Sequence, residues 1–184
     1  MNVSMPRRRL IGRDVITDDG TPMMSAVLRR EARSVPIARQ FARDVLLRWQ
    51  LAELADEAQL VITELTANTI NHARADHIRV TVRRLDEGRV RVAVIDRSRA
   101  VPVLRKVDDD TEHGRGLALV EAVSVEWGVD AFQRGKRVWA DLETSARDAA
   151  EGHPHRYDSA QAQALYGFIL LALGAVITVC TLTR

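Results

Sequence analysis

Cysteine, lysine and aromatic residues are all scarce in this chain. Cys180 is the only cysteine among 184 residues, which excludes an internal disulfide and fits a reducing compartment. Aromatic residues make up 4% of the sequence and the formal net charge is +2, so direct binding of nucleic acid is not expected. No apolar stretch follows the basic N-terminal residues, and a secretory signal peptide is therefore not expected either.

The remaining composition is that of a globular protein, with 46% hydrophobic and 28% charged residues. The length suits one domain with short extensions. We expect a loose basic tail over residues 1–21, a folded domain over residues 22–144, and a polar linker over residues 145–163.

The hydrophobic pattern predicts the elements of the folded domain. Apolar residues at helical spacing begin at Ser34, which we expect to be the N-cap, and a second helix carries Val61–Ala73. Alternation with a period of two from His77, and again from Val90, predicts a β-hairpin. A short helix behind Gly116 and a second hairpin follow. This order predicts an α+β fold with helices on one face of an antiparallel or mixed sheet, a two-layer α/β sandwich.

A narrow polar line runs along the second helix, in the segment VITELTANTINHA. At about 100° per residue, Glu64, Asn68 and Asn71 fall within roughly 60° of one another. Leu60 and Val61 flank this line with apolar side chains. Burying such polar groups unpaired costs about 1–3 kcal/mol each, so we expect polar partners to meet them. A bound ligand and a hydrogen-bond network between helices are the two alternatives.

Three sequence boxes, in this order, resemble the ATPase domain of the GHKL family, which includes histidine kinases and gyrase. ELTANTINHA resembles the N box of that family, VIDRSRAVP a reduced first glycine box, and EHGRGLALV the second glycine box. GKRVWADL is similar to the final strand of a small bacterial branch, the anti-sigma regulatory factors, which are serine-protein kinases. The resemblance covers residues 22–143 and implies the histidine kinase-like, or Bergerat, form of the two-layer sandwich.

The resemblance also implies a site for ATP and Mg²⁺. It implies that the amide oxygen of Asn68 is a ligand of Mg²⁺, an ion that takes oxygen ligands. It implies that Glu64 orients or deprotonates the attacking hydroxyl or water. In this family an aspartate at the position of Asp96 accepts a hydrogen bond from the adenine amino group.

Further nucleotide contacts are implied around these residues. Gly114 and Gly116 precede a helix, and the free N–H groups of a helix N-terminus suit phosphate. Arg115, between them, is a candidate charge partner for phosphate, although a plain helix-start loop would have the same pattern. Ser98 stands where the fuller glycine box of the family has glycine, and it retains a hydroxyl near the base. The other candidate nucleotide contacts are Asn71 and Leu117.

The resemblance implies a serine/threonine protein kinase that phosphorylates an anti-anti-sigma partner of the STAS type and also sequesters a sigma factor. The presence of Glu64 and Asn68 favours this function. The alternative is a non-catalytic ATP-binding module that works by partner switching, which the reduced glycine box and the short loop Val103–His113 favour. The sequence is also compatible with a homodimer.

An uncharged segment, Ala164–Leu182, lies near the C-terminus. As a helix it would be about 28 Å long, close to the ~30 Å hydrocarbon thickness of a bilayer. We therefore expect a C-terminal hydrophobic helix over residues 164–182 that anchors a cytoplasmic domain in the cell membrane by its tail. Arg147 and Arg156 precede the segment, as the positive-inside rule requires for this orientation. A buried C-terminal helix or a dimer contact is the alternative.

Overall fold

A computed structural model of the protein describes residues 12–73, 75–97, 115–133 and 135–144. Within these ranges the chain forms strands and α-helices, with a 3₁₀ turn at Ala52–Leu54. The strands and α-helices follow in this order: β1 (Arg13–Ile16), β2 (Pro22–Arg29), α1 (Ser34–Arg48), α2 (Ala55–His72), β3 (His77–Arg84), β4 (Arg89–Asp96), α3 (Arg115–Val123), β5 (Glu126–Phe132) and β6 (Gly135–Glu143).

The six described strands form a single antiparallel sheet in the order β1-β2-β3-β4-β6-β5. Helix α1 packs on β2 and β3, α2 packs on β4 and β6, and α3 packs on α2 and β5. The predicted α+β architecture, with helices layered on a sheet, is confirmed. Each pair of neighbouring strands runs in opposite directions, so the sheet is antiparallel throughout.

The alternation of apolar and polar residues in β3 and β4 determines which face of the sheet the helices cover. Val80 lies opposite Val94, and Val82 lies opposite Val92. All four side chains are buried, and each such burial stabilises the fold by about 1.5–3 kcal/mol. Asp96 continues the same alternation two residues after Val94, so it projects from the face that the helices cover.

The segment expected to be a loose tail contains β1. Arg13–Ile16 pairs with the first half of β2 through a tight turn in which Gly20 has φ of 80°. The hydroxyls of Thr17 and Thr21 and the guanidinium of Arg83 all donate to the carboxylate of Asp19. These hydrogen bonds close the hairpin. The sequence did not predict β1, because its four residues are too few to show the alternation of apolar and polar side chains that identifies a strand.

The prediction that Ser34 caps α1 is wrong. The helix has Arg33 at its N-cap, and no side chain caps it. The hydroxyl of Ser34 instead donates to the backbone carbonyl of Arg29, with the two oxygens 2.6 Å apart. This hydrogen bond ties the end of β2 to the start of α1, so a buried hydroxyl satisfies a strand carbonyl and not a helix N–H.

No helix in the described part of the chain is long and apolar enough to cross a membrane. The expected linker, residues 145–163, and the expected membrane helix, residues 164–182, lie outside the described residues, as do residues 1–11 of the expected tail.

Candidate functional site

The polar line of α2 faces the third helix. The helix buries Val61 and Leu65 in the core, which leaves Glu64 and Asn68 half-buried on the side that packs on α3. Asn71 continues the line by one turn and is exposed. The amphipathic pattern of α2 therefore carries two polar side chains to a helix–helix contact.

Gly116, in the first turn of α3, lies against the Glu64 side chain at this contact. A Cβ atom added to Gly116 would lie 2.4 Å from Oε2 of Glu64 and 3.9 Å from Nδ2 of Asn68. Real Cβ contacts essentially never fall below 3.0 Å. The absence of a side chain at residue 116 therefore makes room for the Glu64 carboxylate beside the start of α3, and three predicted site residues meet here.

The carboxyl group of Glu64 has an altered acidity. Desolvation by burial raises its pKa above the ordinary value for a glutamate, because burial disfavours the charged form. Among the described residues, none forms a salt bridge or hydrogen bond with Glu64 that would oppose this shift. A half-buried carboxylate with a raised pKa is the type of group that accepts protons in active sites.

Asp96 lies at the end of β4 on the helix-covered face, and only 1% of its surface is exposed. In the sheet it lies opposite Ile78 of β3 and Lys136 of β6. A carboxylate at this position is a hydrogen-bond acceptor at the end of a central strand.

Gly135, at the start of β6, packs on the backbone beside Asp96. It has φ of 140°, and a Cβ atom there would lie 2.0 Å from the carbonyl oxygen of Asp96 and 2.8 Å from Cα of Arg97. Only glycine fits this backbone conformation and this spacing. The sequence indicates a turn at QRGK, but the turn gives no signal that its glycine supports the end of β4.

Two of the remaining predicted site residues belong to α3. Arg115 begins α3, and Leu117 is half-buried in the same helix. Ser98 and Gly114 lie outside the described residues. In the described ranges, no cluster of three or more histidine, cysteine or acidic side chains is able to hold a metal ion.

A sequence profile of the histidine kinase-like ATPase domain matches residues 28–142. The chain belongs to this family. The matched region runs from the end of β2 into β6, so it contains α2, the end of β4 and the start of α3. No curated protein gives a significant match. The resemblance to the GHKL family is thus confirmed, whereas membership of its anti-sigma branch stays a prediction.

Domains of this family bind ATP, usually with Mg²⁺, and the residues present fit these two groups. The amide oxygen of Asn68 is an oxygen ligand of the kind that Mg²⁺ prefers. Gly116 lies at a helix N-terminus, where backbone N–H groups favour phosphate. The ATPase domain therefore has donors for both the metal and the phosphates at one helix contact.

Proposed function

We propose that this ATPase domain is a serine/threonine protein kinase that uses ATP and Mg²⁺ and acts on an anti-anti-sigma protein of the STAS type. The observation that supports it best is the Glu64 carboxylate, half-buried beside Asn68 and against Gly116. A structural hydrogen-bond network would give Glu64 a protein partner, and among the described residues it has none.

In the proposed reaction, Glu64 accepts the proton of the partner's serine or threonine hydroxyl. The hydroxyl oxygen forms a bond to the γ-phosphorus, the bond from this phosphorus to the bridging oxygen breaks, and ADP leaves. The raised pKa of Glu64 makes its carboxylate a stronger base for this proton. Mg²⁺, when bound, would neutralise charge on the phosphate oxygens.

Other residues of the site bind the nucleotide in this proposal. Asn68 would hold the metal through its amide oxygen, and the start of α3 at Gly116 would receive the phosphates. Asp96 would accept a hydrogen bond from the adenine amino group, which guanine lacks at that position. Asp96→Asn is therefore expected to reduce the preference for ATP over GTP, as measured by calorimetry.

The experiment that tests the proposal measures binding and transfer separately. The full chain is titrated with Mg-ATP by calorimetry, and it is then incubated with labelled ATP and purified STAS-type proteins. We expect Glu64→Gln to lower the rate of phosphoserine formation by about 10²–10⁴-fold with little change in the Kd for ATP. Glu53→Gln, an exposed glutamate before α2, is the matched control. Folded protein that fails to bind Mg-ATP at millimolar concentration would exclude the proposal.

The second candidate function is a non-catalytic module that binds ATP and captures a sigma factor by partner switching. The sequence observation that favours it is Ser98 in place of a glycine of the first glycine box. This function requires ATP binding without transfer to any partner. In that case Glu64→Gln would leave capture of the sigma factor unchanged.

Attachment to the cell membrane is a separate proposal that rests on the sequence of residues 164–182. We expect the full chain to sediment with membranes, and a chain that ends at Asp158 to stay in the soluble fraction. Equal recovery of both chains in the soluble fraction would contradict a membrane anchor.

A further inference from the structure

The sheet face opposite the helices, the open face, is rich in arginine. Its arginines alternate with the buried valines of β3 and β4, because neighbouring strand residues point to opposite faces. Most of the arginines in the centre of this face are paired with carboxylates: Arg83 with Asp19, Arg89 and Arg91 with Asp141, and Arg137 with Asp130.

A different situation exists where β1, β2 and β3 meet. Arg79 lies directly opposite Val27 in the sheet, and Arg29 follows Val27 by two residues on the same face. Arg13 lies opposite Ser25, two residues before Val27. Val27 itself is 56% exposed. We call Arg13, Val27, Arg29 and Arg79 the Val27 patch.

The three arginines of the Val27 patch form no salt bridge with any residue in the described part of the chain. The acidic residue that acts on Arg29 is Glu31, and its carboxylate is already bonded to Arg33 at 2.5 Å. Like charges on neighbouring strand positions repel one another. The patch therefore carries a local excess of positive charge around an exposed apolar side chain.

The N-terminal segment of the chain does not supply the missing negative charge. Residues 1–11 contain Arg7, Arg8 and Arg9 and no acidic residue. By contrast, the arginines at the centre of the open face have carboxylate partners within the fold. The charge of the Val27 patch is thus complementary to an acidic group that the described residues do not supply.

We propose that the Val27 patch is a docking surface for an acidic segment of a partner protein. In this arrangement carboxylates of the partner meet the three arginines, and an apolar side chain of the partner packs on Val27. An apolar centre with a charged rim is the usual anatomy of a protein–protein interface, and arginine is enriched at its energetically important positions. The patch has no aromatic side chain on which a nucleic-acid base could stack, which favours a protein over a nucleic acid.

The edge of β2 adds a second means of recognition. Strand β1 pairs with β2 only as far as Ser25, and among the described residues no strand pairs with the outer side of Ala26–Arg29. The carbonyl of Arg29 already accepts hydrogen bonds from the Ser34 hydroxyl and the Glu31 N–H, so an extended acidic segment would bond to the rest of this edge while its side chains reach the arginines. The proposed surface requires neither ATP binding nor phosphoryl transfer.

The test uses the full chain and a fluorescent peptide of twelve residues with alternating glutamate and leucine. Anisotropy measures binding at low and at physiological salt, with and without Mg-ATP. We expect the peptide to bind, and the triple variant Arg13→Gln, Arg29→Gln, Arg79→Gln to bind about tenfold more weakly. Arg43→Gln removes one arginine from the helix side, where it pairs loosely with Asp56, and should leave binding unchanged.

Four outcomes would overturn the proposal. Two concern the peptide: equal affinity of the wild type and the triple variant, and a loss of affinity in Arg43→Gln as large as that in the triple variant. The third is tighter binding of a twelve-residue oligothymidylate than of the peptide. The fourth is self-association of the chain that the triple variant abolishes. Circular dichroism confirms that each variant is folded. Calorimetry with Mg-ATP reports on the nucleotide site independently, so failure of the kinase proposal and failure of the docking surface are distinguishable.

Discussion

Replacing Gly116 by alanine tests whether the contact between α2 and α3 holds the Glu64 carboxylate in place. The added Cβ would lie 2.4 Å from Oε2 of Glu64, whereas real contacts stay above 3.0 Å. The oxygen must therefore move by at least about 0.6 Å, and the cheapest movement is a rotation of the flexible Glu64 side chain.

The effects on stability and on activity should differ strongly. Alanine is favoured over glycine in a helix by about 1 kcal/mol, and a strained Glu64 rotamer costs about 0.5–1.5 kcal/mol. We therefore expect the free energy of unfolding of Gly116→Ala to stay within about 1 kcal/mol of the wild type. A base displaced by about 1 Å can lower a rate by about 100-fold, so we expect kcat to fall by about that factor with little change in the Kd for ATP.

The assay combines urea unfolding, calorimetry with Mg-ATP and single-turnover phosphoryl transfer. In a double-mutant cycle, Gly116→Ala should cause no further loss of rate in the Glu64→Gln background, because the base is already absent. Ala118→Gly, at an exposed position of α3, changes helix propensity without touching Glu64 and is the control. An unchanged kcat would refute this reasoning, and a raised Kd with unchanged kcat would assign Gly116 to phosphate binding alone.

Three further predictions concern stability. The hydroxyl of Thr66 is fully buried and has no hydrogen-bond partner among the described residues, so Thr66→Val should raise the free energy of unfolding in urea by about 1 kcal/mol. Asp141 is 1% exposed and accepts two hydrogen bonds from Arg91, so Asp141→Ala should lower the free energy of unfolding by about 3 kcal/mol. Asp130 pairs with Arg137 at a more exposed position, so Asp130→Ala should lower the free energy of unfolding by less than about 1 kcal/mol. Because burial raises the pKa of Glu64, the folded state binds its proton more tightly and loses stability as the pH rises through and above the ordinary glutamate value of about 4.3. Glu64→Gln should therefore stabilise the fold at pH 7 and give no gain below that value, which urea unfolding across pH checks; a loss of stability at pH 7 would contradict it.

The sequence was sufficient to predict those parts of the fold that depend on local periodicity. The alternation from His77 and from Val90 identifies β3 and β4, and the helical spacing within Val61–Ala73 identifies α2 with Glu64 on one side. These patterns are strong because one face of each element is buried in a single core.

Features that depend on packing between distant segments were not predictable. Strand β1 is too short to show alternation, and it forms because Asp19 organises the turn that follows it. The contact between Glu64 and Gly116 depends on how α2 and α3 pack, and a glycine before a helix does not reveal which side chain it accommodates. In the same way, only the tertiary structure shows that Gly135 supports the end of β4.

The contact between Gly135 and Asp96 determines where the chain will accept added residues. Exposed hairpin turns usually tolerate insertions, and the β3–β4 turn at Glu87 is of this kind. The β5–β6 turn is different, because its glycine is wedged against the backbone that carries the buried aspartate. A peptide tag or fluorescent probe inserted beside Gly135 would shift that backbone, so labels on this ATPase domain belong at Glu87.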